Sequence, residues 1–189
     1  MVKLYLKIIF LAFSFFNTAL AATYLEHAQE SIQSIDEFRI NRNFGLRSEL
    51  GGALGAFSLQ LEVNYEPSES AFAGVGKGPG YESFGVFWKH YFEPNELTLF
   101  NVLGYSRWYN SSADYNTSES GILQRALNED EKSSKLFVLD FMVLGFGILY
   151  TPQSSNYLGF GYFLEVNLLY EYKKAKVIPT GGVGLSYNF

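Results

Sequence analysis

Two stretches of the chain alternate apolar and polar residues with a period of two. From Ala56 to Glu66, Phe57, Leu59, Leu61, Val63 and Tyr65 interleave with Ser58, Gln60, Glu62, Asn64 and Glu66. From Phe160 to Lys173, Phe160, Tyr162, Leu164, Val166, Leu168, Tyr170 and Tyr172 share one face. Gly161, Glu165, Asn167, Glu171 and Lys173 share the other, with Phe163 and Leu169 as apolar exceptions. Successive strand side chains point to opposite faces, so each stretch predicts a β-strand with one apolar face. The second is long beside the usual strand of about 5–6 residues.

Five further segments follow the same rhythm less cleanly. Phe44, Leu46 and Leu50 alternate with Arg47 and Glu49. Phe84, Val86, Trp88 and Phe92 alternate with Ser83, Gly85, Lys89 and Tyr91. Phe100, Val102 and Trp108 alternate with Asn101, Tyr105 and Arg107. Phe137, Leu139, Phe141, Val143 and Leu149 alternate with Asp140 on a face that also carries Met142, Leu144 and Phe146. From Ile178 onward, Val183, Leu185, Tyr187 and Phe189 oppose Gly182, Gly184, Ser186 and Asn188. Reading the bulky set as the outward face puts Arg47, Glu49, Glu62, Lys89, Arg107, Asp140 and Glu165 inside. Short Gly-, Pro-, Asn- or Ser-bearing connections are expected at Gly51 to Gly55, Phe92 to Glu96 and Pro152 to Tyr157. Long ones are expected at Pro67 to Gly80 and Tyr109 to Lys135.

This layout predicts an all-β fold, a closed antiparallel up-and-down transmembrane β-barrel of about eight strands. An even count needs one strand more than the seven segments. Thr23 to Ile40 is where it is expected, Ile32 to Ile40 being the best candidate, although that region could also open with a short interfacial helix. A soluble barrel would pack its bulky side chains inside. Here the polar face is rich in Gly and Ser, and the bulky aromatics gather on the other.

Composition sharpens the picture. The chain has 189 residues, with 18 Phe, 14 Tyr, 2 Trp and 18 Gly, too many aromatics for a disordered chain. Its mean hydropathy of +0.01 is too low for a bundle of membrane helices. With no cysteine it has no disulfide, thiolate metal site or cysteine nucleophile. Lys3 and Lys7, the apolar Ile8 to Phe16, and Ala19 and Ala21 at the recognition positions of a cleavage site predict a signal peptide over residues 1–21. Residues 22–189 would then form the barrel domain, and loss of two lysines takes the formal charge from −5 to −7. That acidity argues against nucleic acid as a partner.

The sequence stops at Phe189, with Tyr187, Leu185 and Val183 at alternate positions before it. This ending resembles the C-terminal assembly signal of bacterial outer-membrane barrels, and the alternation extends the resemblance over nearly the whole mature chain. The match is to the class of small OmpA/OmpX-type barrels. The resemblance implies an outer-membrane location, handling by the barrel-assembly machinery during biogenesis, and contact with outer-membrane lipid and lipopolysaccharide. It also implies that the last strand pairs with the first. A monomer is expected.

Two histidines limit the chemistry. The lipid A deacylase family uses a His-x-Ser pair, whereas His90 is followed by Tyr91 and Phe92, and His27 by Ala28 and Gln29. The palmitoyltransferase family places a histidine at the extracellular rim, whereas His90 falls near a periplasmic turn and His27 before the first strand. His27 reads as solvated and His90 as an interfacial residue on the apolar face. A serine without a base in reach is inert, so no catalytic residue is assigned. Glu129, Asp130 and Glu131 cannot all reach one ion and read as solvated charge, so neither a metal nor a cofactor is expected. Gly74 to Gly80, which holds Lys77, lacks the spacing of a phosphate loop and reads as a surface loop. Trp88, Trp108, Tyr91, Tyr105, Tyr109, Tyr150 and Tyr157 fit aromatic girdles at headgroup level. The leading expectation is a structural or surface-interaction protein whose inward charges satisfy one another. A narrow small-solute pore and a lipid A-modifying enzyme are the alternatives.

Overall fold

The computed structural model describes residues 42–92, 96–110, 120–134, 136–152 and 159–189. Its strands are β1 (Phe44–Gly51), β2 (Phe57–Glu66), β3 (Glu69–Gly78), β4 (Tyr81–Phe92), β5 (Leu97–Asn110), β6 (Phe137–Tyr150), β7 (Phe160–Glu171) and β8 (Lys176–Asn188). Each pairs antiparallel with its sequence neighbour, and β1 pairs with β8 to close an eight-stranded up-and-down barrel. Two short helices, α1 (Gly121–Ala126) and α2 (Glu129–Ser134), lie in the long connection between β5 and β6.

The registers fix the barrel's shape. Following paired residues from Arg47 through Gln60, Gly74, Gly85, Ser106, Phe141 and Glu171 leads to Lys176 on β8. Arg47's own partner on β8 is Ser186, ten residues further on. A stagger of ten over eight strands goes with strands tilted by about 40°. Eight strands leave an interior that side chains can fill.

Alternation is carried by the closed wall. Leu46, Leu61, Val75, Val86, Leu103, Leu144, Val166 and Leu185 are all exposed on the outside. So continuous an apolar exterior needs lipid around it, since soluble monomers rarely expose contiguous apolar patches beyond a few hundred Å². The tall strands are the membrane-spanning elements. Among the described residues no helix is long and apolar enough to cross a membrane.

Three sequence expectations are corrected. The eighth strand is β3, in the stretch read as a long loop. Ile32 to Ile40 lies outside the described residues, and the barrel closes without it. Ala71, Ala73, Gly74 and Gly76 give β3 small residues on both faces, so its strand state comes from pairing with β2 and β4 and not from its own alternation. The supposed long loop is two tight turns. One, at Pro67 and Ser68, follows a register shift between Asn64 and Glu66, and the other is at Pro79 and Gly80. Gly80 has φ +81°, so Pro-Gly here fits a type II turn. As a result the β1–β2 connection shares the end of the long β5–β6 connection, not the opposite one.

The third correction concerns the faces of β5 and β6. Phe100, Val102, Trp108, Phe137, Leu139, Phe141, Val143 and Leu149 are buried inside, while Leu99, Leu103, Met142, Leu144 and Phe146 face out. Arg107 and Asp140 therefore lie on the outer wall. Bulk could not decide between two apolar faces, and the charges mark positions close to the long-loop end.

Inward glycines make room for inward rings. Gly104 pairs with Phe87, Gly147 with Phe100 and Gly184 with Phe163. A Cβ on any of the three would collide with the ring beside it and with backbone. Each ring covers a backbone that would otherwise be bare, a device known to repair strand glycines. Gly104→Val should destabilise the folded barrel by about 1–3 kcal/mol in urea unfolding from lipid vesicles. The outward Val86→Leu should change stability by no more than about 0.5 kcal/mol.

Candidate functional site

The lumen divides lengthwise. β1, β2 and β7 supply Arg47, Glu49, Ser58, Gln60, Glu62, Glu165 and Asn167, and β4 adds Lys89, all buried. β4, β5 and β6 supply most of the buried apolar side chains. Of the charged residues expected inside, Arg47, Glu49, Glu62, Lys89 and Glu165 point into the lumen.

Four of these form a chain of contacts, with Glu49 held beside it by Gln60 and Ser58. Lys89 Nζ lies 2.5 Å from Glu62 Oε1, which also accepts from Ser70 Oγ at 2.6 Å and the Tyr91 hydroxyl at 2.7 Å. Arg47 bridges Glu62 at 3.8 Å and Glu165 at 3.3 Å. Asn167 Nδ2 donates to Glu165 Oε1 at 2.7 Å, and Gln60 Nε2 donates to Glu49 Oε2 at 2.8 Å. Both cations also meet aromatic faces. The Arg47 guanidinium lies 4.5 Å from the Phe72 ring centre and 4.1 Å from that of Phe163, and Lys89 Nζ lies 4.7 Å from that of Tyr91. Such contacts strengthen where water is scarce. Two cations thus face three carboxylates in mid-lumen. Among the described residues Glu49 Oε1, Gln60 Oε1 and Asn167 Oδ1 meet no donor, so this side of the lumen has bonding capacity that water can use.

The long-loop end is stoppered. The β1–β2 connection bends inward, burying Ala53 and Leu54. Its backbone is held from inside the barrel. Ala53 O accepts from Ser106 Oγ at 2.8 Å and from Trp108 Nε1 at 3.0 Å, and Leu54 O accepts from Ser83 Oγ. Gly52, at φ +82°, adopts a backbone conformation that favours glycine and lies against the Glu49 carboxyl. Trp108, 0 % exposed, stacks on Tyr81 at 4.5 Å and meets Phe141 edge-on at 5.2 Å. Leu123, Ala126 and Leu127 from the α1 segment complete this apolar plug.

A lysine hairpin straps α1 and α2 down. Lys174 Nζ donates to Ala126 O at 3.3 Å and pairs with Glu131, and Lys176 Nζ donates to Arg125 O at 3.2 Å. Cations at the last carbonyls of a helix satisfy acceptors that have no partner within it. Glu131 also accepts from the Asn128 backbone N–H at 2.8 Å, closing a capping box at the start of α2. The acidic run read as solvated is therefore partly structural: Glu131 caps and latches, and Glu129 pairs with Lys132 at 2.8 Å.

The expected girdle is only partly present. Trp88, 36 % exposed, faces out near the chain-terminal end, where its Nε1 donates to the Tyr65 hydroxyl at 3.0 Å and to Glu69. His90 Nδ1 lies 2.8 Å from Glu69 Oε1 on the same rim. Tyr105, Tyr109 and Tyr150 also lie on the outer face. Trp108 and Tyr91 are inside, a correction that follows from the inward aromatic face of β5 and from Tyr91's bond to Glu62. Tyr157 and His27 lie outside the described residues. Val183, Leu185 and Tyr187 face outward, and Phe189 N donates to Phe44 O at 2.8 Å beside the β1–β8 seam. Ala19 and Ala21 lie outside the described residues.

The fold is that of a small outer-membrane β-barrel, the OmpA/OmpX-like class. The N-terminal β-barrel domain of Pseudomonas aeruginosa OprF superposes with a TM-score of 0.53 at 11% identity, covering 78% of this chain and 98% of that one. Yersinia pestis Ail in a phospholipid bilayer nanodisc gives 0.44 at 12% identity, over 77% of this chain and 98% of its own. The same protein with the heparin analogue sucrose octasulfate gives 0.42 at 13%, over 77% and 95%. No protein-family model and no curated sequence matches the chain. At these identities the likeness to OprF concerns fold alone.

Two predictions follow from the lumen and its lid. Glu62→Gln should cost about 3 kcal/mol by removing the buried carboxylate that Lys89 and Arg47 share, and adding Lys89→Met should recover part of that loss. For the latch, burial alone would raise the Glu131 carboxyl, but the Asn128 N–H and the Lys174 ammonium outweigh it and hold it below the ordinary carboxylate range. A lowered folded-state value means stability that is present above the unfolded value of about 4.3 and lost as pH falls through the folded one. Amide exchange at Leu127, corrected for intrinsic rate, should therefore rise on acidification below that point. At neutral pH Lys174→Met should raise it about twofold, the ~0.5 kcal/mol of a partly exposed ion pair.

Proposed function

We propose that this chain is a non-enzymatic integral outer-membrane protein with a structural or surface-interaction role. Its N-terminal residues 1–21 direct export and are removed after Ala21. Val183, Leu185, Tyr187 and Phe189 form the signal read by the assembly machinery, and the folded barrel is a monomer in contact with outer-membrane lipid and lipopolysaccharide. In that setting both termini lie on the periplasmic side. The α1–α2 segment then stands outside the cell, where a partner would meet it.

One observation carries this reading. The lumen is filled at mid-height by the Arg47–Glu62–Lys89 network and closed at the long-loop end by Leu54, Trp108 and Leu123. A barrel so closed offers surface, not passage. The outward His90–Glu69 pair lies at the periplasmic rim, away from the α1–α2 segment, and Glu69 is bonded there to Tyr65 and Trp88.

The protein refolded into a planar bilayer should show no steady conductance steps. Persistent single-channel openings would instead establish the small-solute pore.

A further inference from the structure

Among the described residues, the outer wall carries a charged cluster, Arg107, Lys173 and Asp140, in which two cations share one acid. Asp140 sits on the outward face of β6 between the exposed Val138 and Met142, yet it is only 1 % exposed. Four donors enclose it. Arg107 Nε reaches Oδ1 at 2.6 Å and Lys173 Nζ reaches Oδ2 at 2.8 Å. The Tyr105 hydroxyl adds a bond to Oδ1, and the Tyr172 hydroxyl lies 3.5 Å from Oδ2. Asp140 is buried by its partners, not by the barrel.

The two cations come from separate elements, β5 and the turn after β7, and one carboxylate on the intervening strand holds them side by side. One acid cannot neutralise both, so Arg107, Lys173 and Asp140 together carry a net positive charge, the inward Glu171 being the next carboxylate that Lys173 feels. Their heads stay open, with Arg107 41 % and Lys173 55 % exposed. The Asp140 carboxylate, through its hydrogen bond, holds the Lys173 ammonium above the ordinary lysine value, so it stays charged at physiological pH. Elsewhere on the wall the outward Lys77 stands opposite Glu82 in register, one cation to one acid.

Height completes the case. Arg107 is three residues from the end of β5, Asp140 three from the start of β6, and Lys173 lies just beyond β7. This is where the wall passes from hydrocarbon into headgroups, the one depth at which exposed charge on a barrel exterior is tolerated. Two tyrosines flank it, as aromatic residues do at that level. A guanidinium beside an ammonium is a fitting donor set for phosphate.

We propose that Arg107 and Lys173, held by Asp140, form a seat on the barrel's outer wall for the phosphate monoester of a membrane lipid headgroup. This rests on the reading of the chain as a bilayer-embedded barrel. It adds a site and a ligand class to that reading.

The test uses the folded mature chain in phosphatidylcholine vesicles, with spin-labelled phosphatidic acid compared against spin-labelled phosphatidylcholine at the protein surface. The wild-type barrel should favour phosphatidic acid severalfold. The R107Q/K173Q variant should lose most of that preference, whereas R107K/K173R and the control K77Q should keep it. Equal preference in the wild type and R107Q/K173Q, or an equal loss in K77Q, would overturn the proposal. Displacement of the labelled phosphatidic acid by millimolar inorganic phosphate would also overturn it, since the seat would then take free phosphate and not a lipid. Heat-modifiable gel mobility is read in parallel. Its absence in the wild type would contradict the barrel reading itself, and its presence in every variant assigns any lost preference to the seat.

Discussion

A backbone N–H or C=O left unpaired in hydrocarbon costs several kcal/mol, so a sheet that crosses a bilayer must have no edge. In this chain the seam between β1 and β8 meets that requirement, running from Gly45 opposite Asn188 to Gly51 opposite Gly182. Closure with a stagger of ten sets the tilt and the lumen's width. It also commits every residue of every strand to one of two environments. A glycine-rich segment such as β3, with little propensity of its own, is drawn into the wall because a gap there would leave two neighbours unpaired.

A lumen of this width must be filled, and the chain fills it in two different ways. On one side, carboxylates and amides surround Arg47 and Lys89. On the other, aromatic rings seat themselves over glycines of the next strand. The halves meet where the cations lie against rings, Arg47 between Phe72 and Phe163 and Lys89 near Tyr91. The ring faces thus add to the carboxylates in stabilising the two buried cations. Above this layer the inbent β1–β2 connection and α1 continue the apolar side into a plug, and the Lys174–Lys176 hairpin fastens it from outside.

The parts of this arrangement legible in the sequence are those where one face is bulky and the other polar. β1, β2, β4, β7 and β8 read correctly as to existence and facing, and the period of two on those strands turns Arg47, Glu49, Glu62, Lys89 and Glu165 inward. β5 and β6 read correctly as strands but with inverted faces. Both their faces are apolar, because these strands supply the ring-filled side of the lumen. Arg107 and Asp140 then looked inward only because charge was equated with interior. Their outward facing near the long-loop end is set by strand registers that no local pattern encodes. The strapping of α1 is likewise a long-range result, made by lysines some fifty residues further along the chain.

The facing of the two tryptophans tests the central claim, that register rather than bulk decides which side chains meet lipid. The W88F variant keeps Trp108 as its only tryptophan, and W108F keeps Trp88. In vesicles of lipid brominated along its acyl chains, emission from Trp88 should be strongly quenched and that from Trp108 hardly at all, since Trp108 sits inside the barrel against Tyr81 and Phe141. Quenching of Trp108 as strong as that of Trp88 would contradict the account. It would turn β5 over, return Arg107 to the lumen, and undo both the plug and the charged seat on the outer wall.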